Sequence, residues 1–264
     1  MTEIERIIQK MKLNTTSQDS EVNYKCKKCR DTTWIETEEG FKRCKCYEKE
    51  RIKRMWSKFG LDPQNTFKLN DYKPYDETTK KAKEKAINYI KEFNKIKDTT
   101  ENSFGLFGQP GAGKSHIIIA IGVALLKENI QVVYMPYLEA IKELKANTLD
   151  QEYYIELISK YQRPTVLIID DLFKDKIKNE QLIKDRYGNI IGLSETDIKH
   201  IYPILNYRYL NNLPTLISTE CTQEMLIQLD EALAGRILEK CGENMTVFKG
   251  PKYNYRMRRF MKGE

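Results

Sequence analysis

Gly108-Gln109-Pro110-Gly111-Ala112-Gly113-Lys114-Ser115 has the residue types and spacing of a phosphate-binding loop. Glycines at these positions permit positive φ, so that successive backbone N–H groups turn inward around a phosphate chain. The N-terminus of a following helix adds partial positive charge at the same place. Lys114 has the reach for β- and γ-phosphates, and the Ser115 hydroxyl is a ligand for magnesium. Gly108, Pro110, Gly111, Ala112, Gly113, Lys114, Ser115 and His116 are therefore the candidate nucleotide contacts, with ATP and magnesium as the cofactors this chemistry needs.

A second group of residues belongs to the same chemistry. Val166 to Ile169 is an unbroken apolar run followed by Asp170-Asp171. Such a run suits a strand buried on both faces, as in a parallel sheet, whose C-terminal end is where open α/β sheets bind ligands. Asp170 is expected to hold magnesium, directly or through water, and Asp171 to orient the attacking water.

Four of the six cysteines form a third group, Cys26-x-x-Cys29 and Cys44-x-Cys46, separated by 14 residues. Two β-rich stretches, Thr32–Thr37 and Gly40–Arg43, flank Glu38-Glu39 and predict a hairpin that brings the pairs together. Four thiolates around tetrahedral zinc form a closed, structural site. Free thiols are the competing assignment. Cys221 and Cys241 lie in later helices and are expected to be small buried side chains.

These residues must be positioned by an α/β framework. Ser103–Phe107 predicts the strand entering the phosphate loop, and His116–Lys127 the helix leaving it. Further strands are expected at Gln131–Met135, Pro214–Thr219 and Asn244–Phe248. Helices are expected at Lys80–Ile96, between Met135 and Tyr161, at Thr196–Leu210 despite Pro203, and within Thr222–Cys241. Alternation of strands and helices implies a right-handed, mostly parallel sheet covered on both faces. Too little chain follows Thr219 for a full helical lid. Ahead of this domain, Glu3–Met11 predicts an amphipathic helix (Ile4, Ile7, Ile8, Met11). Glu48–Phe59 predicts another (Ile52, Met55, Trp56, Phe59), with Gly60 as its cap. The expected organisation is an N-terminal module over 1–60, a linker over 61–79 carrying Pro63 and Pro74, and an ATPase domain over 80–264.

Charged residues make up 31% of the 264 and hydrophobic ones 40%, the balance of a globular chain with a heavily charged surface. The longest apolar run, Ile117–Leu126, is too short to cross a bilayer, and the N-terminus lacks the apolar stretch of a secretion signal. A cytoplasmic protein without membrane contact is expected. Residues 1–60 carry 15 Lys/Arg against 10 Asp/Glu, and residues 249–264 carry 6 against 1. Basic ends on a near-neutral centre fit a polyanion such as DNA, and equally a solvated surface.

Taken together, the cysteine module, FGQPGAGKSH, LIIDDLF, NYRYLNNLPTLIST and EALAGRI resemble the DnaC/DnaI-type replicative helicase loaders of the AAA+ ATPases, in the form found in phages and prophages. The likeness spans nearly the whole chain. It implies an AAA+ ATPase domain behind a zinc module that grips the replicative DNA helicase. It also implies loading onto single-stranded DNA, with an ATP-dependent homo-oligomer as the working assembly. Arg236 takes the position of an arginine finger acting on a neighbouring subunit's site; a surface salt bridge is its other assignment. Where the family pattern often has asparagine, this chain has Glu220, so either Thr219 takes the polar role or Glu220 faces magnesium or water. The charged segment Lys174–Ser194 is longer than a connection needs. Its lysines line a DNA groove or are simply solvated, and Tyr187 is a candidate for base stacking. Arg256 could reach the nucleotide from the C-terminal tail. Two other functions share these motifs: a transposition helper ATPase of the IstB kind, and a nucleotide-gated adaptor with negligible hydrolysis.

Overall fold

A computed structural model describes residues 6, 23–57, 61–62 and 67–257. Apart from Arg6, the expected helix Glu3–Met11 lies outside the described residues, as do the Phe59 and Gly60 end of the next helix and Pro63. Contacts divide the chain into two units, Met1–Arg54 and Met55–Glu264.

In the first unit, β1 (Trp34–Thr37) and β2 (Gly40–Arg43) form the expected antiparallel hairpin, with Trp34 opposite Arg43 and Thr37 opposite Gly40. Two strands of four residues bury too little to hold themselves together. Local polar contacts add to them: the Arg43 guanidinium lies 4.0 Å from the Trp34 ring centre and 4.2 Å from that of Tyr47. The same guanidinium donates to Thr33 Oγ1 at 2.9 Å. α1 (Lys45–Ser57) follows directly.

The second unit is a five-stranded, wholly parallel sheet. Its strands are β3 (Phe104–Gly108), β4 (Val132–Pro136), β5 (Val166–Asp170), β8 (Thr215–Thr219) and β9 (Met245–Phe248), in the order β4-β5-β8-β3-β9. β3, β5 and β8 are fully buried, which explains their largely apolar sequences. The phosphate-loop strand β3 is not next to the acidic strand β5; β8 runs between them. That one topological fact governs the site.

Alternation along the strands sorts the core. Leu167, Ile169, Ile217, Val133, Met135 and Phe107 share one cluster with α4 (Tyr137–Ala146), α5 (Gln151–Gln162), α6 (Glu195–Leu210), α7 (Gln223–Leu229) and α8 (Glu231–Cys241). The opposite face receives α3 (Lys114–Lys127), which lies against β3, β4, β5 and β8. α2 (Glu77–Ile96), capped by Asp76 and Thr79 in a reciprocal box, packs on α3 and β9. Pro203 sits inside α6 without ending it. The segment after β5 carries a two-strand hairpin, β6 (Ile177–Lys178) and β7 (Gln181–Leu182), turned by Asn179-Glu180. Beyond β9 the described residues contain only a short turn at Pro251–Tyr253.

Trp56 is fully buried on the α3 face. Its indole N–H donates to the Val132 carbonyl at 3.1 Å, and its ring lies 5.8 Å from that of Tyr134. Gly122 of α3 leaves the room it occupies, since a Cβ there would meet Ile168 and the indole. Trp56→Ala should therefore destabilise the protein by about 3–5 kcal/mol, through a large cavity and an orphaned carbonyl. Denaturant unfolding of the zinc-saturated chain measures this.

Candidate functional site

The phosphate loop is shaped by its glycines and by the segments packed on them. Gly108 has φ 94°, and a Cβ on it would strike the Phe248 carbonyl; Gly113 has φ 83°, and a Cβ there would strike the Tyr72 ring. Both positions accept glycine alone, for conformation and for space. Tyr72 lies in the stretch expected as linker, yet it is buried and its hydroxyl donates to the Ala112 carbonyl at 3.1 Å. His116 joins it, its ring 5.7 Å from Tyr72 and 4.8 Å from Phe67, with Nε2 2.8 Å from the Lys68 carbonyl. From the other side the tail closes in: Gln109 N–H donates to Phe248 O at 2.8 Å, and Tyr255 N–H to Gly111 O at 3.2 Å.

Lys114 is 5% exposed, and its ammonium donates to the carbonyls of Gly108 and Gln109 at 2.7 and 2.8 Å. Burial pulls it down to about 8, against the opposing pull of Asp171. The loop thus holds a poorly solvated cation at the N-terminus of α3, a setting that favours an anionic ligand.

Asp170 is the centre of a hydroxyl cluster. One carboxylate oxygen accepts from Ser115 Oγ at 2.7 Å and from Ser218 Oγ; the other accepts from Tyr134 Oη at 2.9 Å. The phosphate loop and the acidic strand therefore meet at Ser115–Asp170. A hydroxyl beside a carboxylate is a donor set that fits magnesium, which keeps several waters and takes few protein oxygens. Asp171 takes a left-handed backbone (φ 56°), and its N–H donates to Ser218 Oγ at 3.0 Å. Burial pushes its carboxyl above the ordinary range, and the charge of Asp170 adds to this.

The other sequence candidates have different surroundings. Thr219, one of two residues considered for the polar role, is turned away: strand alternation puts it on the opposite face from Ser218, where its hydroxyl donates to Leu172 O at 2.7 Å. Glu220 is paired with Lys174. Arg236 makes its hydrogen bonds to Ala232 O at 2.8 Å and Tyr202 Oη at 3.3 Å, and lies 5.4–5.5 Å from the rings of Tyr202 and Tyr209. It lines a small pocket with Ser103, Arg208 and Thr215, at the N-terminal ends of the strands. It is thus separate from its own chain's phosphate loop. Arg256 is exposed, and its charge acts on both Lys114 and Asp171.

Sequence reasoning missed Ser218, Tyr134 and Tyr72. The first two were findable only by counting faces along β8 and β4 once their register with Asp170 was known. Tyr72 carried no motif.

The four cysteines converge. Their sulfurs lie within 4.8 Å of one another, with Cys26–Cys44 at 3.8 Å and Cys29–Cys46 at 3.4 Å. Zn–S bonds of about 2.3 Å in a tetrahedron require sulfur–sulfur edges of about 3.8 Å, so the group fits zinc. Asp31 shapes the first turn by accepting from the N–H groups of Lys25 and Cys26 at 3.1 and 2.8 Å. The Cys29 N–H pulls the Cys26 thiol down to about 7, toward the thiolate a metal takes. Cys221 and Cys241 are buried, as expected.

Two outcomes follow from this geometry. The purified chain should carry one zinc by elemental analysis, and chelation should disorder residues 23–47 while magnesium-free nucleotide titrations stay largely intact. Nucleotide binding should also take up protons near pH 8. The free protein's Lys114 titrates at about 8, and a polyphosphate binds its charged form. Affinity is then full below that pH and falls above it, by up to about tenfold per unit. Calorimetry in buffers of different ionisation enthalpy reads the uptake.

Comparison with known proteins places this site in a family. The model described as IstB-like ATP binding protein matches residues 42–191. The Bacillus subtilis (strain 168) protein YqaM is 35% identical over 218 residues, 80% of this chain; the chain spans 64% of that relative's length. The phage-like element PBSX protein XkdC of the same strain is 30% identical over 246 residues, 89% of this chain and 86% of the relative. Among solved structures, the DnaC helicase loader superimposes with a TM-score of 0.53 at 20% identity, covering 75% of this chain and 99% of that one, a likeness of fold. The chain belongs to the IstB-like ATP-binding protein family.

Proposed function

We propose that this protein is an ATP-dependent loader of the replicative DNA helicase onto single-stranded DNA, with ATP hydrolysis serving as an assembly switch. In this reading Gly108 to His116 bind the nucleotide, and Ser115 and Asp170 hold its magnesium. Asp171 orients the attacking water, Ser218 and Tyr134 hold Asp170, and Arg256 adds charge in cis. Residues 1–60 with zinc at Cys26, Cys29, Cys44 and Cys46 grip the helicase, and residues 80–264 form the ATPase behind the 61–79 stretch.

The observation that carries the proposal is the pairing of two sites in one chain: a phosphate loop joined through Ser115 to Asp170, and a closed four-cysteine centre. A closed metal centre supplies rigidity and no open coordination position, which suits a docking module. The likeness to XkdC covers a larger share of the chain than residues 55–264 alone could account for. The fold likeness to the DnaC helicase loader points the same way.

Arg236 fits an arginine finger working in trans: it is held by Tyr202 and Tyr209 and away from its own phosphate loop. For DNA, Tyr187 is 74% exposed with the Arg186 guanidinium 4.7 Å from its ring centre, a stacking surface beside a cation. The family description favours a second reading, an IstB-like transposition helper ATPase.

Affinity purification with ATP separates the two. A helicase that co-purifies with the parent chain but not with Lys114→Ala is the expected result; recovery of a transposase in its place would establish the second reading. Arg236→Ala should cut hydrolysis in the assembled state by about 10³-fold while the dilute monomer keeps its nucleotide affinity. An equal loss of affinity in the monomer would remove the finger role.

A further inference from the structure

The Lys174–Glu220 ion pair has no counterpart in the chemistry assigned so far, and it stands at the mouth of the phosphate loop. Glu220 is the first residue beyond β8, the strand between β3 and β5. The Gly108 N–H donates to the carbonyl of the next residue, Cys221, at 3.1 Å, so Glu220 flanks the start of the loop. Its side chain is 10% exposed. Lys174 reaches it from the other side, three residues after Asp171. Asp171 and Phe173 both take left-handed backbone (φ 56° and 59°), Lys174 N–H closes the turn on Asp171 O at 3.1 Å, and Leu172 and Phe173 anchor it in the core. This turn directs Lys174 back over the site.

A carboxylate beside a polyphosphate site is repelled when the ligand arrives, and without a cation it would weaken binding outright. Lys174 offsets that charge in the free protein. A bound nucleoside triphosphate sets its γ-phosphate, with up to two negative charges, in competition with a single carboxylate for the same ammonium. Lysine carries its charge on a flexible four-carbon stem and has the freedom to move between them. A diphosphate brings no group to that end. The Lys174 charge already acts on Asp171 and Lys114, the groups on either side of the γ-phosphate position.

We propose that Lys174 is a γ-phosphate-responsive cation parked on Glu220, and that the exchange of partners sets the preference for a nucleoside triphosphate over a diphosphate. This rests on the nucleotide-binding reading above. Glu220, set where asparagine is common in the resembling family, then acts as the holder of the cation. The partner exchange is felt beyond the pair, because Lys174 opens the turn whose Lys176 binds Asp197 of α6 at 2.6 Å.

Calorimetric titration of the full zinc-loaded chain with ADP and with a non-hydrolysable ATP analogue tests the proposal. Lys174→Met should lose on the order of tenfold or more in affinity for the triphosphate, the worth of one charge-assisted hydrogen bond, with ADP binding within about twofold of the parent. Lys174→Arg should keep the preference. Glu220→Gln should strengthen triphosphate binding in the parent and leave ADP binding within about twofold. Equal loss for both nucleotides in Lys174→Met, no loss for either, or an equal Glu220→Gln gain for both would each overturn the exchange. A parent chain that binds neither nucleotide would overturn the nucleotide-binding reading, and this proposal with it.

Discussion

A carboxylate that is 8% exposed is costly to bury without hydrogen-bond donors, and in this protein the donors to Asp170 come from three different elements. Ser115 belongs to the helix leaving the phosphate loop, Ser218 to the neighbouring strand β8, and Tyr134 to the strand on the other side. The condition that satisfies the carboxylate also pins the loop, the sheet order and the strand register to one another. A shift of β8 by one residue would put Thr219 beside Asp170 and turn Ser218 to the opposite face. The cluster is thus at once the end of the core and the floor of the candidate nucleotide site.

The opposite end of the sheet is held by a cation in place of an anion. Arg208 is 1% exposed, and its guanidinium donates to the carbonyls of Tyr161, Gln162, Pro164 and Pro214 and to Thr215 Oγ1. These groups belong to the end of α5 and the turn entering β5, and to the start of β8 with the residue before it. One side chain therefore ties together the starts of the two strands whose far ends carry Asp170 and Ser218. Burial draws its pKa down to about 9, and carbonyl dipoles take the place of a counter-ion. Arg236 lies near this end, beside Arg208 and Thr215.

The phosphate loop gains its walls from chain segments remote in sequence. Tyr72 precedes the ATPase core and Phe248 ends it, yet both close on loop glycines whose missing side chains make the space. The tail residue Tyr255 binds Gly111. With no lid following β9 among the described residues, these segments do the enclosing. The loop is thus bounded by elements from both ends of the domain.

Sequence alone determined the local chemistry: the glycine spacing of residues 108–115, the acidic end of the run 166–171, the paired cysteines, and the alternation of apolar strands and helices. Each is a short-range pattern, in which residue type and spacing impose backbone freedom, burial or metal geometry without reference to the rest of the chain. The hairpin Trp34–Arg43 and the strand at Thr215–Thr219 were legible for the same reason. Tertiary structure decided what depends on two distant segments at once. Strand order put β8 between the loop and the acid, register chose Ser218 over Thr219, and packing carried Tyr72 onto Gly113 and gave Lys174 to Glu220. A side chain's face along a strand is readable from alternation, but which neighbour shares that face is set by pairing between strands dozens of residues apart, and no local pattern encodes it.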